Sequence, residues 1–96
     1  MRNQYLVSYD ISDPKRLRKM FKTMRGFGDH VQLSVFRCEL SDKELMLLME
    51  AISDLINHKE DQVLIVDVGP AAGRAKHAST FIGRPGTVEE RRAVIV

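Results

Sequence analysis

Tyr5-Leu-Val-Ser-Tyr9-Asp10-Ile11-Ser12-Asp13-Pro14, running on into Lys15-Arg-Leu-Arg-Lys-Met-Phe-Lys-Thr-Met-Arg25, decides the fold, because it reads as a strand handing over to a helix. Tyr, Leu and Val favour the extended chain, and the run stops at a carboxylate. An oxygen-bearing side chain followed by proline marks a helix start. The oxygen satisfies a free N–H of the first turn, and proline is harmless at a position whose N–H has no partner. Leu17, Met20, Phe21 and Met24 then fall at i, i+3, i+4 and i+7, one apolar stripe. Most of what remains is basic: Lys15, Arg16, Arg18, Lys19, Lys22 and Arg25. Gly26 and Gly28 are expected to end the helix through the left-handed conformation that glycine tolerates.

Working outward, Val31–Leu40 alternates roughly and reads as strand. At ten residues it is long enough to be kinked or split near Ser34. Ser41-Asp-Lys-Glu44 is a capping box, with Leu40 and Leu45 spaced as a hydrophobic staple. Leu45, Leu48, Met49, Ile52 and Ile56 are the predicted buried stripe of this second helix, which Asn57-His58 ends. Gln62–Val68 is an apolar strand broken only by Asp67 and closed by Gly69-Pro70. Residues 71–80 read as a short helix or a loop, Gly83-Arg-Pro-Gly86 as a turn, and Ala93-Val-Ile-Val96 as a last strand with no evident partner in the chain. The order strand, helix, one or two strands, helix, strand predicts an α+β, two-layer sandwich of ferredoxin-like type.

Ninety-six residues make a single domain. A chain this short buries about 60–65% of its unfolded surface, so a partner subunit is expected to complete the core. No apolar run approaches the roughly 18 residues that span a bilayer. The first ten residues turn polar too early for a signal peptide, and the expected location is cytoplasmic. The single cysteine, Cys38, excludes an internal disulfide and a thiolate metal site. The net charge of +2 conceals segregation: +5 over residues 1–38, −6 over 39–70 and +3 over 71–96. Such a division is compatible with a face for polyanions, and equally with one basic and one acidic solvated helix.

Asp10 is the leading candidate for chemistry. It ends a strand just before a basic helix, where a carboxylate can project from a rigid frame, although a lone carboxylate there ordinarily caps a turn. A two-fold axis nearby would bring two copies together, and facing carboxylates repel unless a cation or proton lies between them. Mg2+ held by one or two carboxylates plus water is the usual arrangement for phosphodiester chemistry. Asp13 and Asp67 are weaker ligand candidates. Lys15, Arg16, Arg18, Lys19 and Lys22 are the candidate nucleic-acid-binding residues, and Arg16 and Arg18 lie nearest the strand end in sequence. His30, His58 and His77 lack ligand spacing, and neither Gly26-Phe-Gly28 nor Gly83-Arg-Pro-Gly86 completes a nucleotide-binding loop. The aromatic pattern of an RNA-recognition domain is absent as well.

Tyr9-Asp-Ile-Ser-Asp-Pro-Lys-Arg-Leu-Arg-Lys19, Gly28-Asp-His-Val-Gln-Leu-Ser-Val-Phe36 and Val63-Leu-Ile-Val66 together resemble the CRISPR-associated Cas2 family over essentially the whole chain. The resemblance implies a ferredoxin-like βαββαβ homodimer in which residues 91–96 form an extra strand that crosses to the partner's sheet. It implies that Asp10 of each subunit holds a shared Mg2+, with Tyr9, Arg16, Arg18 and Phe36 near the catalytic site. His30 stands where some relatives have arginine. In function, the resemblance implies a CRISPR adaptation protein that bridges CRISPR integrase dimers, as a heterohexamer or heterotetramer, holds DNA and supports insertion of new spacers. A Mg-dependent endonuclease acting on single-stranded RNA or double-stranded DNA is implied too. A non-catalytic DNA-binding scaffold and a related toxin-type RNA interferase stand as the alternatives.

Overall fold

The computed structural model describes residues 1–84, apart from the side chains of Arg74 and Lys76. Four strands and two helices follow in the order β1 (Asn3–Asp10), α1 (Pro14–Arg25), β2 (Asp29–Gln32), β3 (Val35–Leu40), α2 (Asp42–Leu55) and β4 (Gln62–Pro70), with a 3-10 turn at Arg74–His77. The sheet order is β2-β3-β1-β4 and every neighbouring pair is antiparallel. This is the α+β, ferredoxin-like sandwich, its two helices covering one face of the sheet. The expected crossing strand, residues 91–96, lies outside the described residues.

Both helix starts form as their sequences dictate. The Asp13 side chain accepts from the Arg16 backbone N–H at 2.9 Å, with Pro14 in the first turn. Ser41 and Glu44 close a reciprocal capping box at 2.8 and 3.2 Å. The stretch 31–40 is not one strand. It folds back at Leu33-Ser34 into a hairpin, so β2 and β3 pair side by side.

β1 is the central strand, and its pleat sorts the molecule into two faces. Tyr5, Val7 and Tyr9 point under the helices and are buried with Met20, Met24, Phe36, Cys38, Leu40, Leu48 and Ile52. Leu6, Ser8 and Asp10 alternate to the other face. There β4 contributes Leu64, 59% exposed, and Val66. That face has no helix over it among the described residues.

Three expectations are corrected. Met49 is 50% exposed and Leu17 is also exposed, because the sheet beneath each helix accepts a narrower stripe than the periodicity offers. Gly26 sits in the right-handed helical region, and Gly28 has no positive φ, so neither ends α1 by a left-handed turn. Gly28 is instead a close approach: a Cβ there would lie 2.4 Å from the Arg37 carbonyl and 2.5 Å from Cys38 Sγ. Cys38 is fully buried, and burial, reinforced by Asp29, pushes its thiol up to about 11. Such a thiol is packing, not chemistry.

Candidate functional site

The candidate residues gather where β1 hands over to α1 and the β2–β3 hairpin lies alongside. Tyr9 is buried and stacks on Phe36, ring centroids 6.3 Å apart. Its backbone N–H donates to the Ser34 carbonyl at 3.1 Å, tying the end of β1 to the hairpin. Burial pushes its phenol pKa up, offset in part by the Ser34 side chain. At neutral pH Tyr9 is therefore a protonated donor and no base.

Asp10 follows Tyr9 along the strand and so projects to the opposite face. It is exposed and lies in register with Gln62 of β4. Among the described residues its carboxylate makes no hydrogen bond or ion pair. The other two candidate carboxylates are occupied. Asp13 caps α1, and Asp67 accepts from Asn3 Nδ2 at 3.2 and 3.3 Å and from the Gly69 N–H at 2.9 Å. Of the three, Asp10 alone has its charge to spare.

Arg16 is engaged by Asp61 and Glu60, not by Asp10. Its Nε donates to Asp61 Oδ2 at 2.8 Å, and its Nη2 donates to Asp61 Oδ1 at 3.2 Å and to Glu60 Oε1 at 3.1 Å. The Asp61 side chain has no exposed surface, and it also accepts from the N–H groups of Ser12 and Asn57 at 3.2 and 2.8 Å and from the Ser12 hydroxyl at 3.4 Å. The Arg16 guanidinium, helped by those N–H groups, holds the Asp61 carboxyl well below the usual carboxylate range. In return Asp61 raises the Arg16 pKa. Arg16 thus pins the start of α1 to the start of β4.

The other cations converge. Lys15, Arg18, Lys19 and Lys22 fall at i, i+3, i+4 and i+7, a single stripe along α1. They rim a groove of about 640 Å³ whose walls are Tyr9, Phe21 and Leu33. The structure brings four of the five basic candidates and Tyr9 together, diverts Arg16, and places Asp10 on the opposite face of the same strand end. Phe36 is fully buried and underlies the site, with Phe21 and His30 against it at 5.5 and 5.0 Å between centroids.

Asp61 and Leu33 were missed in the sequence. An acid within Lys59-Glu-Asp61 reads as solvated loop, and only its partner Arg16, 45 residues away, gives it a role. Among the described residues no three potential metal ligands cluster.

Fold and site together define a ferredoxin-like protein with a cationic groove on one side of β1 and a spare strand-end carboxylate on the other. The chain belongs to the CRISPR associated protein Cas2 family, whose family model matches residues 3–73. It is 46% identical over 96 residues to the CRISPR-associated endoribonuclease Cas2 of Geobacter sulfurreducens, covering the whole of both chains. It is 42% identical over 92 residues to the CRISPR-associated endoribonuclease Cas2 1 of Rhodospirillum rubrum, covering 96% of this chain and 89% of the relative. Among solved structures, the hypothetical protein TT1823 from Thermus thermophilus superposes with a TM-score of 0.75 at 28% identity, covering 90% of this chain and 95% of that one. Streptococcus pyogenes Cas2 superposes with a TM-score of 0.72 at 26% identity, covering 83% and 99%. Among the described residues, no helix is long and apolar enough to cross a membrane.

Proposed function

We propose that this chain is a cytoplasmic CRISPR adaptation protein, a homodimer that binds nucleic acid and works beside the CRISPR integrase. Its architecture is that of a Mg-dependent endonuclease on RNA or DNA. The observation that carries the reading is the exposed carboxylate of Asp10, which among the described residues has no partner and ends a sheet face with no helix over it. Leu6, Leu64 and Val66 make that face apolar, and a second copy laid on it would both cover them and bring two Asp10 side chains towards one another. Residues 91–96 would add their strand to the partner's sheet. The names of the relatives support ribonuclease chemistry, and the stripe of cations on α1 supports a polyanionic substrate.

One carboxylate from each of two chains, completed by water, fits the hard-oxygen donor set that Mg2+ prefers. When bound, the ion would polarise a phosphodiester and lower the pKa of a bound water. The chain's own residues do the rest. Lys15, Arg18, Lys19 and Lys22 hold phosphates, while Tyr9 and Phe36 fix the end of β1 so that Asp10 projects at a set angle. Arg16 serves through Asp61 by fixing where α1 begins. The test is cleavage of single-stranded RNA and double-stranded DNA with Mg2+, against EDTA and against Asp10→Asn. Asp10→Asn should cut about 10²–10³-fold more slowly, the usual effect of losing one electrostatic stabiliser. It should still co-purify with the integrase. Full cleavage by Asp10→Asn rejects the assignment of Asp10. Absence of cleavage by the parent with intact integrase binding favours the scaffold reading.

A further inference from the structure

At the tip of the β2–β3 hairpin stands a residue that the local rules disfavour. Leu33 is 86% exposed, and its φ of 37° is in the left-handed region, the only non-glycine residue there among those described. Glycine or asparagine would relax this turn, and leucine gains nothing from solvent. The tip is nonetheless held firmly. His30 Nε2 lies 2.7 Å from the Leu33 carbonyl, an acceptor only, so this nitrogen carries the proton and donates. The His30 ring is itself wedged against Phe21 and Phe36, with centroids 5.0 Å apart in both cases. An apolar side chain is therefore displayed on a braced, strained turn, the kind of local conflict that marks a functional position.

What Leu33 borders names its occupant. It forms one wall of the groove whose floor is Phe21 and Tyr9 and whose rim is the cation stripe of α1. A flat apolar body tethered to phosphates on both sides matches that combination, and such a body is an unstacked nucleobase. A base-paired duplex offers the phosphates but keeps its bases inside.

We propose that the groove between α1 and the β2–β3 turn takes one unpaired nucleobase, with Leu33 packed against the base as a wedge and Lys15, Lys19 and Lys22 on the flanking phosphates. The proposal rests on the nucleic-acid reading above and adds a preference for single-stranded segments, sequence-tolerant because the contact is with the apolar face of a base.

The test compares affinity for a single-stranded oligonucleotide and for a blunt duplex of equal charge. Leu33→Gly relieves the positive φ, so its Tm should hold or rise. Its preference for single strand over duplex should fall about ten-fold, the lower part of the range for one lost base contact. In the parent, 2-aminopurine moved along the oligonucleotide should brighten at one position as that base leaves its stack, and Leu33→Gly should abolish the change. Lys15→Ala, Lys19→Ala and Lys22→Ala combined should weaken both nucleic acids alike. If Leu33→Gly keeps the parent's preference while the triple variant loses affinity, the nucleobase site is wrong and the nucleic-acid reading stands. If neither variant loses affinity, both readings fall. A change in sedimentation mass with no change in preference would make Leu33 a self-contact and overturn the proposal.

Discussion

Asp10 and Asp61 stand almost side by side across the end of the sheet, since Asp10 is in register with Gln62, and the protein treats them in opposite ways. Asp61 has no exposed surface and is met by the Arg16 guanidinium and by the N–H groups of Ser12 and Asn57. Asp10 is exposed and meets no such donor among the described residues. A buried carboxylate is tolerable only when its lone pairs are filled and its charge is matched, whereas an exposed one is kept ionised by water. One aspartate therefore spends its charge on architecture, and the other meets no partner for it among the described residues. Arg16 goes with the first. A guanidinium already forked onto a carboxylate has little left for a phosphate, so basic residues alternating along one helix do separate work.

The change that should break this contrast most severely is Asp61→Asn. The amide leaves a half-buried Arg16 with only the exposed Glu60 as counter-ion and turns its NH2 donor towards either the Ser12 or the Asn57 N–H group. The Tm should fall by on the order of 10 °C, read by thermal melting. A fall of under about 2 °C would mean that Asp61 is no anchor and that Arg16 is free for nucleic acid.

Acid should erode the same anchor more gradually. The Asp61 pKa in the folded protein is held below the ordinary value of about 3.9. Folding therefore gains from the ionised carboxylate above that ordinary value and loses the gain as pH falls through the lower, folded one. Glu44, lowered chiefly by the Ser41 backbone N–H, acts in the same sense. Thermal melts at pH 6 and pH 3 should show a Tm loss on acidification, and Asp61→Asn should lose visibly less. Equal losses in the two proteins would place the acid-sensitive group elsewhere.

How these roles were legible depends on how local the signal is. Asp13 before Pro14 and the Ser41–Glu44 box are contacts within four residues, and both form as written. The strand end at Asp10 was equally plain, because a run of strand formers stops there. A break near Ser34 was legible from the length of the run, and β2 and β3 part there, but the tightness of the turn was not, since no glycine or asparagine marks it and the chain imposes a left-handed leucine. Gly28 is a glycine for want of space against β3, a fact of tertiary packing. Arg16 was misplaced for the same kind of reason. In sequence it neighbours Arg18 and the strand end, and only the return of the chain at Asn57–Asp61 shows which way it points.

A smaller effect is expected at Asp10 itself. Asp10→Asn disturbs no hydrogen bond among the described residues, so the Tm should stay within about 2 °C of the parent in metal-free buffer. If two copies face each other there, removing their repulsion should raise it slightly. A clear loss of Tm would show that Asp10 holds the fold or the dimer, and the division of labour between the two aspartates would collapse.

The finest test asks whether Arg16 and Arg18, two residues apart, belong to different systems. Each phosphate contact contributes slightly under one unit to the slope of log affinity against log salt. Arg18 rims the groove, so Arg18→Ala should flatten the slope for duplex DNA by about one unit and weaken all sequences alike. Deleting Arg16 alone would strand the buried Asp61 charge and confuse binding with folding. Replacing the pair together, Arg16→Met with Asp61→Asn, removes both charges while the amide oxygen still accepts from a backbone N–H of Ser12 or Asn57, an exchange closer to what a buried ion pair tolerates. That double variant should bind with the parent's slope, because the cation it loses was never facing phosphate. A slope lowered as much as in Arg18→Ala would mean that the Arg16–Asp61 bridge opens when nucleic acid arrives. The buried aspartate would then be a latch for a phosphate-binding arginine, and the two aspartates would share one function after all.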